Sequence, residues 1–200
     1  MSNTTLDEIR AQVADSIATK QALLSDVRLL KQLEELVASC TTALRAGGKI
    51  LFAGNGGSFA DAQHLSAEFT SRLRFDRAPL ASLALGTNNS AISAIGNDYG
   101  YEQVFARELE GIAGLADVFI PISTSGNSPN ILAAVAAARR RGITTVGLTG
   151  ASGGKMAVAC DCIRAPSSDT ARIQECHILL GHILCGLVES QYFKGAGAQA

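Results

Sequence analysis

Apolar positions follow two spacings along this chain, and after the first quarter the two alternate. Over residues 6–45, Leu23, Leu24, Val27, Leu30, Leu33, Leu36 and Val37 recur at three- and four-residue steps between charges, the spacing of an amphipathic helix. Asp26, beside Ser25, is the point that divides this stretch into two helices, and "AGGK" supplies a glycine stop. Beyond it, "KILFAG", "ASLALG", "DVFIPIS", "ITTVGLTG" and "CDCIRAP" read as strands. The segments 58–74, 90–95, 101–112, 128–141 and 153–160 read as helices between them. A last helix over 170–193 carries Ile173, Ile178, Leu180, Ile183, Leu184 and Leu187 at helical spacing. Strands that are apolar nearly throughout, each followed by a helix, predict a parallel sheet covered on both faces. The expected fold class is α/β: a three-layer α/β/α sandwich with a parallel sheet and an N-terminal helical extension. No composition break marks a second domain, so residues 1–200 are expected to form one, with the extension over 1–47 and the sandwich over 48–200. In such sheets ligands sit at the carboxyl ends of strands, where strand order switches.

Composition narrows the function classes. The 200 residues are 47% hydrophobic and carry a net charge of −1, and no long run of one sign argues for a nucleic-acid partner. The only basic cluster, Arg139-Arg140-Arg141, precedes Gly142 at the end of a helical stretch, where cations meet the carbonyl end of the helix. The polar, acidic N-terminus has no basic-then-apolar leader pattern. No apolar run approaches the roughly 18 residues of a membrane span, so no membrane association is expected. Five scattered cysteines without C-x-x-C spacing read as reduced thiols, and the expected location is the cytoplasm.

Two strand–loop–helix junctions share one chemistry: "LFAGNGGS" into "FADAQHL", and "FIPISTSGNS" into "PNILAAV". Bare backbone at Gly54, Gly56, Gly57 and Gly126 allows a ligand to approach closely. Free N–H groups at each helix start favour an anion. Capping by Ser58 or Ser128 would explain either loop alone. In "STSGNS", however, four of six residues bear small hydroxyls (Ser123, Thr124, Ser125 and Ser128), more than a cap requires. A dinucleotide fingerprint would need a small residue where Phe59 stands, and a phosphoryl-transfer loop would need a lysine that neither loop has. A neutral, serine-rich cradle suits a phosphate monoester held for positioning.

His64 and Glu68 are four apart and share a helix face. A solvated i,i+4 pair is the plain alternative, but His64 lies about 10 Å along the axis from the first loop, the reach of a small sugar chain. The other two histidines lie in "RIQECHILLGHILCG", where Gln174, Glu175, His177 and His182 are the polar groups of an otherwise apolar helix. By helix angle Gln174 is about 80° off the face of His182, whereas Glu175 is nearly aligned with it. Two histidines with a glutamate make a common zinc set; satisfied core residues are the other reading.

Taken together, in this order and spacing, "LFAGNGGSFADAQHLSAEF", "IGNDYGYEQVFARELE", "ISTSGNSPNILAA", "LTGASGGKMA" and "RIQECHILLGHI" resemble the phosphoheptose isomerases of the sugar-isomerase (SIS) superfamily, over about residues 26–188. "STSGxS" marks the superfamily, and the "AQHxxxE" and "QExHxxxxH" motifs narrow it. The resemblance implies a flavodoxin-like fold and a homotetramer, with the N-terminal extension used in assembly and sites built partly from neighbouring subunits. It implies conversion of sedoheptulose 7-phosphate to D-glycero-D-manno-heptose 7-phosphate through an enediol, the first step toward activated heptose for lipopolysaccharide and other surface glycans. It places Asn55, Gly56, Gly57, Ser58, Asn97 and Asp98 on the sugar phosphate, and Ser123, Thr124, Ser125 and Ser128 on its phosphate group. One zinc ion (Zn2+) per subunit would be held by His64, Glu68, Gln174 and His182, with Gln174 also near substrate and Glu68 and His182 as the acid/base pair. Phe59 and Asn88 stand where relatives carry a smaller or polar residue and an aspartate, and Asp169 is not among the expected site residues. A SIS-domain binding protein without catalysis, such as a replication-initiation regulator, and an isomerase of another sugar phosphate are the competing readings.

Overall fold

Along the first strand, β1 (Ile50–Ala53), all four residues are buried, and they alternate between two cores. Ile50 and Phe52 join one apolar cluster and Leu51 and Ala53 the other, as the two-residue period of a strand demands. β3 (Val118–Pro121) repeats the pattern: Val118 and Ile120 face the first cluster and Phe119 the second. With β2 (Ser82–Ala84), β4 (Thr144–Thr149) and β5 (Asp161–Arg164), they form a five-stranded parallel sheet in the order β2-β1-β3-β4-β5. The computed structural model describes residues 4–194; residues 1–3 and 195–200 of the expected 1–200 domain lie outside it.

One face is covered by α2 (Val27–Arg45), α3 (Gly57–Thr70) and α8 (Thr170–Phe193), through Leu33, Leu36, Leu65, Phe69, Leu180 and Leu184. The other is covered by α5 (Val104–Ile112), α6 (Pro129–Arg140) and the short α7 (Met156–Ala159), through Phe105, Leu109, Ile131, Val135 and Met156. α4 (Asn89–Tyr99) adds only the partly buried Ile92 and Ile95. This is the three-layer α/β arrangement expected. β1 lies between β2 and β3, so the chain leaves β1 in one direction and returns on its other side. The first loop therefore enters α3 on one face and the loop after β3 enters α6 on the opposite face, opening a crevice between them.

The N-terminal stretch divides where Asp26 predicts. α1 (Thr5–Ser25) ends there, and the Asp26 carboxylate accepts from the N–H groups of Arg28 and Leu29 to cap α2. α1 leans on α8 through Lys20 and Glu175, yet Leu6, Ile9, Val13 and Ile17 are each more than half exposed, an apolar stripe at helical spacing that the described residues leave largely uncovered.

Several boundaries differ from the sequence pattern. α4 runs to Tyr99 instead of 95, with Asn88 as its side-chain cap through the N–H of Ala91. Residues 101–103 form a 3-10 turn before α5. α3 stops at Thr70, four residues before the expected end at Arg74. The cause is Arg77: its guanidinium donates to the carbonyls of Glu68, Phe69 and Ser71, satisfying the helix end that further turns would otherwise satisfy. The same guanidinium meets the Glu189 carboxylate of α8 at 2.9 Å, with both side chains at most 3% exposed. Glu189 also accepts from the N–H groups of Leu73 and Arg74 at 3.1 and 2.9 Å.

Removing one partner of a buried, hydrogen-bonded ion pair leaves an uncompensated charge, at a cost of roughly 3–5 kcal/mol. Arg77→Ala is expected to lose stability on that scale in urea unfolding, and Arg77→Met combined with Glu189→Leu to recover much of it. A loss below about 1 kcal/mol in the single variant would show that the pair does not hold the α3 terminus.

Candidate active site

Both glycine-serine loops sit at the carboxyl ends of neighbouring strands, but neither serine caps its helix. Gly56 occupies the cap position of α3 with no side-chain bond, and Ser58 is buried inside the first turn. At α6 the cap residue Ser128 makes no capping bond; its hydroxyl instead lies 3.2 Å from that of Ser123. Simple capping therefore does not account for these hydroxyls. Helix-start N–H groups that no side chain takes remain available to an anion.

The second loop is braced from behind. Gly126 has φ +64°, and a Cβ there would fall 2.1 Å from the Gly153 carbonyl oxygen, so neither the conformation nor the space admits a side chain. Thr124 accepts from the Gly150 N–H, and the Asn127 side chain accepts from the Lys155 N–H. Thr124, Ser125 and Asn127 open, with Ser152, Ser167 and Thr170, onto a cavity of about 230 Å³.

A reciprocal amide pair ties the two loops together. Asn55 Nδ2 donates to Asn130 Oδ1, and Asn130 Nδ2 to Asn55 Oδ1, both at 2.9 Å. The Tyr101 hydroxyl donates to Asn55 Oδ1 at 3.3 Å. Asn130 is only 3% exposed. It escaped the sequence reading, although a polar residue just after Pro129 on an otherwise apolar helix face carries that signal. Asn97 and Asp98 lie exposed in the last turn of α4, where the Asn97 amide donates to the Asp98 carboxylate. They do not bond to either loop.

Farther along α3, His64, Glu68 and His182 come together. His64 Nε2 is 2.8 Å from His182 Nε2 and 3.3 Å from Glu68 Oε1. One ligand atom from each of the three lies within 4.8 Å of the others. One imidazole must donate and the other accept at that nitrogen contact. Asp61, one turn before His64, also faces the pair. Burial raises its pKa, and the two histidines pull it back down. Asp61 was missed in the sequence, although its i,i+3 spacing from His64 puts it on the same helix face.

Gln174 lies at the loop end of the same two helices. Its amide packs against Gly57, where a Cβ would lie 2.8 Å from Gln174 Nε2. Eight residues separate it from His182, about 12 Å of axial rise, so Gln174 serves the loop end of α3 while His182 serves the histidine end. Glu175 is drawn away from the histidines to Ser16, Lys20 and Arg172.

The chain's matches to known proteins agree with this geometry. The family model for the SIS domain matches residues 15–150. A phosphoheptose isomerase from Aneurinibacillus thermoaerophilus is 52% identical over 189 residues, covering 94% of this chain and 96% of that one. The chain belongs to the phosphoheptose isomerase family of SIS-domain enzymes. Solved phosphoheptose isomerases from Neisseria gonorrhoeae and Francisella tularensis superpose with TM-scores of 0.86 and 0.88 at 41% and 33% identity. Each alignment covers 94% of this chain, with 100% and 99% of the respective structure. The chain is thus a sugar-phosphate isomerase with a role in heptose biosynthesis, and the reading as a binding protein without catalysis falls away.

His177, on the inner face of α8, is 1% exposed, and both ring nitrogens lack a hydrogen-bond partner. Burial pushes its pKa down to about 4, only partly opposed by the Thr149 backbone. The folded chain thus refuses a proton that the unfolded chain accepts below about pH 6.5. Stability is expected to be complete above that pH and to fall between 6.5 and 4, by on the order of 3 kcal/mol in total. Urea unfolding across this range should show the slope in the parent and not in His177→Leu; equal slopes would show that His177 is not its source.

Proposed function

We propose that this enzyme interconverts sedoheptulose 7-phosphate and D-glycero-D-manno-heptose 7-phosphate, using a zinc ion held by His64, Glu68 and His182. The observation that carries the reading is that these three side chains converge on one point along the helix whose first turn forms the phosphate-type loop. Two imidazole nitrogens and one carboxylate oxygen match zinc's preferred ligands and leave a position open for substrate. Gln174 is assigned to substrate at Gly57 rather than to the metal.

The loop residues Asn55, Gly56, Gly57 and Ser58 hold the sugar chain, and Ser123, Thr124, Ser125 and Ser128 hold its phosphate. Asn97 and Asp98 close on the sugar from α4. Anchoring the phosphate leaves the carbonyl end about two helical turns away, beside His64 and Glu68. There Glu68 removes the proton from C1 of the ketose and returns it to C2, and His182 moves the proton between the two oxygens through the enediol. Bound zinc would supply Lewis acidity at the carbonyl oxygen. The exposed stripe Leu6, Ile9, Val13 and Ile17 on α1 supports assembly of the chain as a homotetramer. The proposed setting is the cytoplasm, at the first step toward activated heptose for lipopolysaccharide.

Turnover of sedoheptulose 7-phosphate is expected to be lost on chelation and regained with zinc. Turnover indifferent to chelation would remove the metal, and no turnover with this sugar under any condition would remove the substrate. Glu68→Gln should lower the rate by about 10²–10⁴-fold, with metal content measured alongside to separate its base role from its ligand role. His182→Ala should lower both rate and metal content; full occupancy at a normal rate would exclude it from the site.

A further inference from the structure

Far from α3, at the β5 edge of the sheet, three sulfur atoms gather around a glycine. Cys160 closes α7 and Cys162 lies on β5, so the two side chains of Cys160-Asp161-Cys162 turn to the same face. Their Sγ atoms are 4.0 Å apart. Gly147, on β4, is packed by Met156 and Cys162 and has no room for a side chain of its own. A Cβ at Gly147 would fall 3.0 Å from Cys162 Sγ, 3.3 Å from Met156 Sδ and 2.7 Å from Met156 Cε. Both thiols line a cavity of about 330 Å³ under the start of α2, shared with Arg28, Arg164 and Asp26.

From this arrangement we infer that Cys160 and Cys162, with the Met156 thioether, form a binding site for a soft monovalent cation of the Cu(I) or Ag(I) class. Metal–sulfur bonds of about 2.3 Å spread by about 120° put two sulfurs about 4 Å apart, the separation seen here. Thiolate and thioether donors favour soft cations such as Cu(I) over calcium or magnesium. Among the described residues no histidine or carboxylate joins both thiols within 4.8 Å, so a four-coordinate zinc site is not assembled. A monovalent cation on two thiolates leaves one net negative charge, in a cavity where Arg28 and Arg164 stand beside Asp26 and Asp161. Bound metal would fasten α7 to the sheet edge. The site is independent of the sugar-phosphate chemistry of α3 and α8.

The test uses the full chain, stripped of divalent metal and kept reduced and free of oxygen, and titrated with Cu(I) against a colorimetric Cu(I) chelator. One Cu(I) per chain is expected to survive the competition, with three sulfur neighbours in X-ray absorption. Replacing both cysteines by serine, or both by alanine, should weaken binding by at least about a hundredfold. Met156→Leu conserves core volume; it should weaken binding by about tenfold and reduce the sulfur shell to two. Wild-type affinity in both double variants, or surrender of Cu(I) by the parent to the chelator, overturns the site. A three-sulfur shell retained in Met156→Leu removes the thioether. Circular dichroism and isomerase turnover with zinc restored confirm that each variant is folded.

Discussion

The site depends on the register between α3 and α8. The two helices run side by side in the same direction and touch at matched heights along most of α3. Gln174 meets Gly57, Gly181 meets Leu65, His182 meets His64, and Glu189 reaches the chain just beyond the end of α3. Gly181 is what lets them close. A Cβ there would lie 2.5 Å from both Leu65 methyl carbons, so even alanine would push the helices apart. Cys185 adds a thiol contact to the Leu65 carbonyl at 3.8 Å. At the far end, the Arg77–Glu189 pair sets where α3 stops. Sliding one helix by a single residue would turn His182 about 100° away from His64, and the same slip would strand the buried ion pair. The structural contacts and the chemical ones are thus the same contacts, which explains why a buried charge pair is kept in a place where apolar packing would serve stability alone.

A second constraint holds the loops. Strand order places β1 and β3 side by side, yet their helices leave to opposite faces, so the two loops border one crevice. Nothing in a parallel sheet fixes how far such loops stand apart. The Asn55–Asn130 amide pair does so here, with Tyr101 holding the Asn55 amide in one orientation. The pair uses one hydrogen of each amide and leaves each Nδ2 a second. Asn55 can therefore brace the crevice and still donate to a ligand. Meanwhile the serine hydroxyls are spared capping duty. Ser123 and Ser128 bond only to each other, and a hydroxyl pair rotates easily to a phosphate oxygen.

Much of this was legible in the sequence, and the exceptions have physical causes. The two-residue and helical spacings located all five strands and the main helices because burial is decided residue by residue along each element. The Asp26 break was legible for a similar reason: capping needs a particular side chain at a particular short spacing. What failed was set by partners distant in sequence. α3 ends early because Arg77, held by Glu189, satisfies its carbonyls, and no local signal in "TSRLR" announces it. Asn130 looked like a polar residue inside an apolar helix until Asn55 was placed opposite. Gln174 shows both sides. By helix angle it stands off the face of His182, while the family resemblance places it with the metal set. The structure puts its amide at Gly57, as the angle implied.

The separation of the loop from the histidines has a chemical consequence. In the proposed substrate, phosphate and carbonyl lie at opposite ends of a seven-carbon sugar, so binding energy gathered at the phosphate would help the reaction only through a rigid link between the two ends. Here that link is α3 itself: its first turn belongs to the loop, and its second and third turns carry Asp61, His64 and Glu68. A helix backed by α8 along most of its length transmits position without bending. Chain length then becomes a selectivity filter. A sugar phosphate shorter by two carbons, anchored by the same serines, would leave its carbonyl short of Glu68 by two carbon–carbon bonds. In that reading it would have to release its phosphate to react, giving up the binding energy that the serines of the second loop supply.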